Sequence, residues 1–338
     1  MISVDEMYGE YSYTKKVIMK AISENSRISV SELAKEAKCS RNTALSNLKA
    51  LEEEFGLLYT LDFRKDLLGL TQNHVILAKL GKKPNLMRIH ETFKDDERIQ
   101  FVALTEGDFE LLFIVFASSG EEYMKWETNI SMKLAEYGPA IEPSQLVTWH
   151  IGFIPMLQDS LEKIDFGRFG LDDLDKRILL ILNANSRANY SEISSALNIS
   201  HDKARYRFEK IVEAGIVEKF TAVITKHYVD DARAFFVKYK FTEGMDSRMK
   251  KVREYIMQEE EKFMILNRFH IVAPVSGSYR TFILTSLEDF RDFKKTYEDI
   301  FKVDEPHILS ARVEKVVKGN MPIRNLDFKK NYKIIHWE

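Results

Sequence analysis

The chain has 338 residues, with 50 Lys and Arg against 52 Asp and Glu, a formal net charge of -2 and an apolar fraction of 45%. This length suits about two domains or several small modules and can bury a core unaided, and the single cysteine, Cys39, excludes a disulfide framework. No apolar run approaches the roughly 20 residues of a membrane-spanning helix and the acidic N-terminal residues lack the pattern of a signal peptide, so we expect a cytoplasmic protein with no membrane partner.

Residues 13–65 predict three short helices followed by two short strands. The second helix begins at Ser29, and Glu32 three residues later completes a capping box. The third helix is capped by Ser40 and ends before Gly56. Two helices, a tight turn, a third helix and two strands make up a winged helix-turn-helix.

Residues 72–153 predict the order β-α-β-β-α-β, which is the ferredoxin-like arrangement with both helices on one face of an antiparallel sheet. The strands are expected at 74–80, 99–105, 110–117 and 146–153, and the helices at about 85–94 and 121–137. Residues 154–170, with Pro155, Gly167 and Gly170, form a connector.

The second half of the chain repeats the first after a shift of 160 residues. Asn25-Ser26-Arg27 falls on Asn185-Ser186-Arg187, and Gly56 matches Gly215 after one extra residue. Residues 171–227 are a second winged helix-turn-helix, and residues 319–338 are a tail outside the repeat. Residues 232–318 are a second ferredoxin-like domain, with helices expected at 247–263 and 288–301. The fold class is therefore α+β, with each winged helix-turn-helix followed by a βαββαβ domain.

Positive charge gathers on the third helix of each helix-turn-helix module. Residues 38–49 hold three basic residues and no acidic one, and residues 201–210 hold four basic and two acidic ones. This helix would face the major groove, where Arg and Asn contact base edges and Ser, Thr and Lys contact the backbone. The candidate DNA-binding residues are Arg41, Asn42, Thr43, Ser46, Asn47, Lys49, His201, Lys203, Arg205, Tyr206, Arg207 and Lys210, with Arg64 and Lys65 in the first wing.

One loop in each ferredoxin-like domain is a candidate effector site. Gly107 and Asp108 join two predicted strands, and Gly277 and Ser278 stand at the same place in the second copy. Glycine also permits a tight hairpin with no ligand, so both interpretations stay open. The sequence contains no phosphate-binding glycine loop, no paired cysteines and no His-Glu-x-x-His pattern. We therefore expect no metal, no cofactor and no enzymatic activity.

These features resemble the Lrp/AsnC (feast/famine) family of transcriptional regulators. The run from Leu171 to Leu179, the Asn185-Ser186-Arg187 segment and Gly215-Ile216-Val217 are similar to the beginning and end of that family's N-terminal domain. The loops at Gly107 and Gly277 are similar to the glycine loop of its ligand-sensing RAM domain. Family members typically hold one copy and dimerise through their RAM sheets, whereas this chain holds two copies.

The resemblance implies a sequence-specific regulator that binds double-stranded promoter DNA through recognition helices in the major groove. It also implies an amino-acid effector and a homodimer, and we expect the two RAM-like sheets of one chain to pair with each other. Two other functions stay open. Siroheme decarboxylases are similar to the same family and also occur as fused two-copy chains, although Leu68-Gly69-Leu70 replaces their Gly-Tyr signature. The third is a non-catalytic adaptor that recruits basal transcription factors.

Overall fold

The computed structural model describes residues 13–141, 145–147, 156–224, 232–238, 269–276, 279, 281–286, 290–291, 295 and 307–319. They form two compact units. The head unit holds both helix-turn-helix modules, from residues up to 68 and from 158 to 227, and the sheet unit holds residues 69–157 together with those from 228 to 327. None of the described helices combines the length and apolar character needed to cross a bilayer.

The helices and strands that the structure describes follow the predicted chain order, apart from the second strand predicted in each wing. The first copy contains α1 (Tyr13–Glu24), α2 (Val30–Glu36), α3 (Arg41–Phe55), β1 (Leu57–Phe63), β2 (Gln72–Lys79), α4 (Leu86–Phe93), β3 (Ile99–Gly107), β4 (Leu111–Ala117), α5 (Gly120–Lys133), β5 (Ala140–Ile141) and β6 (Gln145–Val147). The connector holds α6 (Gln158–Lys163), and the second copy contains α7 (Asp173–Ala184), α8 (Tyr190–Leu197), α9 (His201–Glu213), β7 (Val217–Ile224), β8 (Ala232–Lys238), β9 (Phe269–Ser276), β10 (Thr281–Ser286) and β11 (His307–Gly319). The predicted helix at 247–263, most of that at 288–301 and the tail beyond Gly319 lie outside the described residues.

The strands of the head unit correct one detail of the prediction. In the described part of each module there is one strand rather than a two-stranded wing, and β1 pairs antiparallel with β7 of the other module. Thr60 pairs with Thr221, and each hydroxyl donates to an equivalent carbonyl oxygen on the first helix of the other module, that of Asn183 for Thr60 and that of Ser23 for Thr221. Equivalent residues that pair with each other mark a local two-fold axis. A lone short hairpin is marginally stable, whereas pairing across the copies also joins the two modules.

Other contacts between the two modules follow the same two-fold relation. Ser26 Oγ and Ser186 Oγ, which are equivalent in the repeat, lie 2.6 Å apart, and both residues are fully buried. The N–H of Ser26 donates to the carbonyl oxygen of Phe220 at 2.8 Å, and the N–H of Ser186 donates to that of Tyr59 at 3.1 Å. The two modules therefore form an internal pseudo-dimer.

Both sheets of the sheet unit have the predicted ferredoxin-like strand order. The order is β6-β2-β4-β3 in the first copy and β11-β8-β10-β9 in the second. The sheets join where β3 pairs with β11 and where β6 pairs with β9. This confirms the expectation that the two RAM-like sheets of one chain pair with each other. Since β2 also pairs with β4, the hydrogen bonds run around a closed ring of eight strands.

Strand β4 shows why its sequence is apolar throughout. Phe113 lies in one cluster with Phe93 of α4 and Trp126 of α5. Its neighbours Leu112 and Ile114 point to the opposite face of the sheet, because side chains alternate along a strand, and they are just as buried. A strand covered on both faces loses the polar-apolar alternation of a half-exposed strand.

Candidate nucleic-acid interface

The first helix-turn-helix is held by local hydrogen bonds that the sequence predicted. Ser29 Oγ accepts from the N–H of Glu32, and the Glu32 carboxylate accepts from the N–H of Ser29, so the capping box is complete. Ser40 Oγ accepts from the N–H of Thr43 at the start of α3. Gly56 then ends α3 in the left-handed conformation, with φ 56°. These contacts fix where the third helix begins and ends.

The second module repeats this local structure. Asn189 and Glu192 form the capping box of α8, and Ser200 caps α9. The turn between the two helices places Asn198 at φ 51°, and Lys38 has the same φ in the first module. Among the described residues these are the two non-glycine positions with a positive φ. The two third helices are therefore set on equivalent scaffolds.

Helix α3 has one face in the head core and a polar face in solvent. Ala44, Leu48 and Leu51 are buried. The exposed face carries Arg41, Asn42, Thr43, Ser46 and Lys49, and Asn47 is half-buried with its amide donating to the carbonyl oxygen of Thr43. The structure thus brings the predicted residues of the first helix together on one side.

The two cations of the α3 face carry uncompensated charge. Within the described part of the chain, neither Arg41 nor Lys49 forms an ion pair or a side-chain hydrogen bond. An exposed guanidinium at the start of a recognition helix can donate two hydrogen bonds to a guanine edge, and an exposed ammonium can neutralise a phosphate. The α3 face therefore has the chemistry of a DNA-contacting surface.

Several cations of α9 are instead paired within the head unit. Arg205 Nε lies 2.9 Å from Glu209 Oε1. Arg207 Nη1 lies 3.1 Å from Asp175 Oδ1, and Lys210 Nζ lies 2.7 Å from Asp175 Oδ2. The Asp175 carboxylate is fully buried at the start of α7, so its charge is balanced by these two cations.

Asp172 adds a second carboxylate to the same group. Arg207 Nη1 also donates to Asp172, and this hydrogen bond holds the pKa of the Asp172 carboxyl below its usual value. This ion-pair group is not visible in the sequence, because Asp175 and Arg207 are 32 residues apart and no spacing pattern connects them. His201, Lys203, Arg205 and Tyr206 are the exposed members of the predicted set on α9.

The two predicted residues of the first wing have acidic neighbours. Arg64 lies 3.2 Å from Asp66, with about half of its side chain exposed. Lys65 Nζ lies 3.9 Å from Asp62, and burial lowers the pKa of Lys65. The wing thus offers Arg64 to a neighbouring phosphate more readily than Lys65.

The predicted effector loop of the first copy lies on the β3–β11 contact. The Asp108 carboxylate accepts from the N–H of Ser310 at 2.7 Å, and the N–H of Asp108 donates to the carbonyl oxygen of Ser310 at 3.0 Å. Gly107 has φ +144°, and a Cβ there would lie 2.6 Å from the same carbonyl oxygen. The loop is therefore tied to the second copy by its backbone. Gly277 and Ser278 lie outside the described residues.

Comparisons of sequence identify two known domains and several relatives. The AsnC-type helix-turn-helix domain matches residues 171–211, and a winged helix-turn-helix DNA-binding domain matches residues 12–54. An uncharacterised HTH-type transcriptional regulator of Pyrococcus furiosus is 30% identical over 127 residues, or 37% of this chain and 78% of the relative. Another such regulator, from Pyrococcus horikoshii, is 26% identical over 135 residues, or 40% of this chain and 79% of the relative.

The fold of the whole chain is similar to that of a solved siroheme decarboxylase. The TM-score is 0.55 at 14% sequence identity, and the match covers 94% of this chain and 96% of the other. At this identity the likeness concerns the fold alone.

Proposed function

From the premise that the chain belongs to the Lrp/AsnC family of HTH-type transcriptional regulators, we propose that α3 is the helix through which this DNA-binding regulator recognises promoter DNA. Arg41 and Asn42 contact base edges in the major groove, and Lys49 neutralises a backbone phosphate. The observation that carries the proposal is the exposed α3 face, on which Arg41 and Lys49 are free of ion pairs within the described residues.

The test starts from duplexes selected by the full-length protein from a random library. Replacing Arg41 with Ala should weaken binding to the selected duplex by about 1–3 kcal/mol, or about 5- to 150-fold, because a bidentate base contact is lost. Fluorescence anisotropy measures the change. Lys79→Ala, which removes one exposed cation from the sheet unit, is the matched control and should bind as the wild type does. Equal binding by the Arg41 variant would remove this assignment.

Lys49 is distinguished from Arg41 by the salt dependence of binding. The Lys49→Ala protein should bind all duplexes more weakly and should reduce the slope of log K against log salt by about one, because one phosphate contact is lost. An unchanged slope would place Lys49 outside the interface.

The expected homodimer, amino-acid effector and basal transcription factors remain predictions, and each can be tested by a separate measurement. Light scattering of the full-length chain tests the expected homodimer. Calorimetry with free amino acids tests an effector at the loop of Gly107 and Asp108, and a pull-down with basal transcription factors tests recruitment. The cytoplasmic location stays a prediction as well.

The fold shared with a siroheme decarboxylase supports a second candidate function, which is enzymatic. In that case the chain would bind a tetrapyrrole as its substrate. Mixing the protein with an iron tetrapyrrole should then shift the Soret absorption band and yield a decarboxylated product. DNA binding without such a shift would favour the regulator.

A further inference from the structure

The two third helices occupy equivalent positions in the head unit. The local two-fold axis passes through the Thr60–Thr221 pair, and the N-terminal caps and the turns that precede α3 and α9 are the same in both modules. In a symmetric pair of this kind, equivalent positions on the two helices face equivalent positions of two half-sites. Which bases each half-site needs then depends on the side chains at those positions.

Those side chains differ at the exposed positions of the two helices. When the two copies are aligned with the 160-residue shift, the corresponding exposed residues are Arg41 and His201, Asn42 and Asp202, Thr43 and Lys203, Ser46 and Tyr206, and Lys49 and Glu209. The last pair reverses the sign of the charge. The buried positions, by contrast, keep their apolar character, with Ala44 matched by Ala204 and Leu51 by Ile211.

The ion pairs increase this difference. Arg207 and Lys210 balance the buried carboxylate of Asp175, and Arg205 is paired with Glu209. If Arg207 or Lys210 moved to a phosphate, the buried Asp175 carboxylate would lose one of the two cations that balance its charge, which is unfavourable. The candidate residues of α9 include two exposed cations, Arg205 and Lys203. Arg205 is paired with Glu209, whereas Lys203 forms no ion pair in the described part of the chain.

Resting on the proposed function, we propose that this chain recognises a duplex made of two unlike half-sites. Helix α3 specifies the bases of one half-site. Helix α9 holds the other through Lys203 and the polar groups of His201 and Tyr206, and it selects bases less strongly. A two-fold scaffold thus carries an asymmetric reading surface, and the operator of one chain is not an inverted repeat.

The first test is the symmetry of the selected motif. Selection from a random duplex library with the full-length wild-type protein should yield two adjacent half-sites of different sequence, with more conserved positions in one of them. Two matching half-sites in inverted orientation would overturn the inference and leave the proposed function intact. No selected motif at all, with binding independent of sequence, would overturn the proposed function itself.

The second test transfers the α3 face to α9. The variant H201R/D202N/K203T/Y206S/E209K keeps Arg207 and Lys210 in place, so the ion pairs with Asp175 are retained. It should bind an inverted repeat of the α3 half-site at least about tenfold more tightly than the wild type does, because each restored base contact adds about 1–3 kcal/mol. The variant D159N/E162K makes the same change in formal charge on α6 and should not shift the preferred motif.

A reciprocal variant keeps the inference testable if the first one does not fold. R41H/N42D/T43K/S46Y/K49E gives α3 the face of α9, and it should lose at least about tenfold in affinity for the wild-type motif. Its preferred duplex should have two weakly conserved half-sites. An unchanged motif from either folded variant, with folding checked by circular dichroism, would overturn the inference.

Discussion

Lys38 has a backbone conformation that residues with a Cβ seldom adopt. Its φ is 51°, and the equivalent Asn198 has the same value. Left-handed geometry costs most side chains about 1–2 kcal/mol, whereas asparagine adopts it routinely. Replacing Lys38 with Asn should therefore stabilise the first helix-turn-helix module by up to about 1 kcal/mol, and Asn198→Lys should destabilise the second module by a similar amount. Thermal melts of the two variants should shift in opposite directions, and shifts of the same sign would contradict the argument.

His74 is a buried residue whose protonation should affect stability. Its ring stacks on Tyr123 with centroids 3.8 Å apart, and burial lowers the pKa of His74 from 6.5 to about 4. The unfolded chain therefore takes up a proton below pH 6.5 that the folded chain takes up only near pH 4. The neutral His74 ring makes its full contribution to the free energy of unfolding above pH 6.5. About 2 kcal/mol of that contribution is lost by pH 5. The melting temperature of His74→Phe should fall less between pH 7.5 and pH 5 than that of the wild type.

At the scale of elements, the β1–β7 pair and the contacts beside it join the two helix-turn-helix modules. Ser26 and Ser186 are fully buried, and each hydroxyl is a partner of the other at 2.6 Å. Ser26→Ala should cost about 1–3 kcal/mol, because the Ser186 hydroxyl then loses this buried partner. The double replacement by Ala should cost less than the sum of the two single ones. Denaturant unfolding of the four proteins measures this coupling, and strict additivity would show that the contact is unimportant.

Elements stabilised by near neighbours in the chain could be predicted from the sequence, and those stabilised by distant ones could not. The capping boxes at Ser29 and Asn189 depend on residues three positions away, so their pattern is visible in the sequence. The strands after Gly56 and Gly215 were also visible, because they alternate. Their pairing across the copies was not, because alternation indicates a strand without naming its partner. For the same reason the candidate cations of α9 were identified without their acidic partners.

At the scale of the whole molecule, the closed ring depends on close backbone contact where β3 meets β11. A Cβ on Gly107 would lie 2.6 Å from the carbonyl oxygen of Ser310, and Gly107 also has φ +144°. Gly107→Ala should therefore destabilise the sheet unit by about 2–4 kcal/mol, through overpacking and backbone strain together. Gly170→Ala is the matched control, since its φ is +70° and nothing lies within 4 Å of the new Cβ. It should cost about 1 kcal/mol, and an equal loss in both proteins would contradict the close contact.

The strand pairs that close the ring, β3–β11 and β6–β9, lie within one polypeptide. Their formation therefore does not depend on the concentration of the protein in the cell. Two separate chains would come apart on dilution and could trade subunits with other regulators that have the same sheet. Tethered halves meet at a fixed effective concentration set by the intervening chain. Neither half needs to recognise a copy of itself, so a mutation in one half no longer appears in both halves of the assembly.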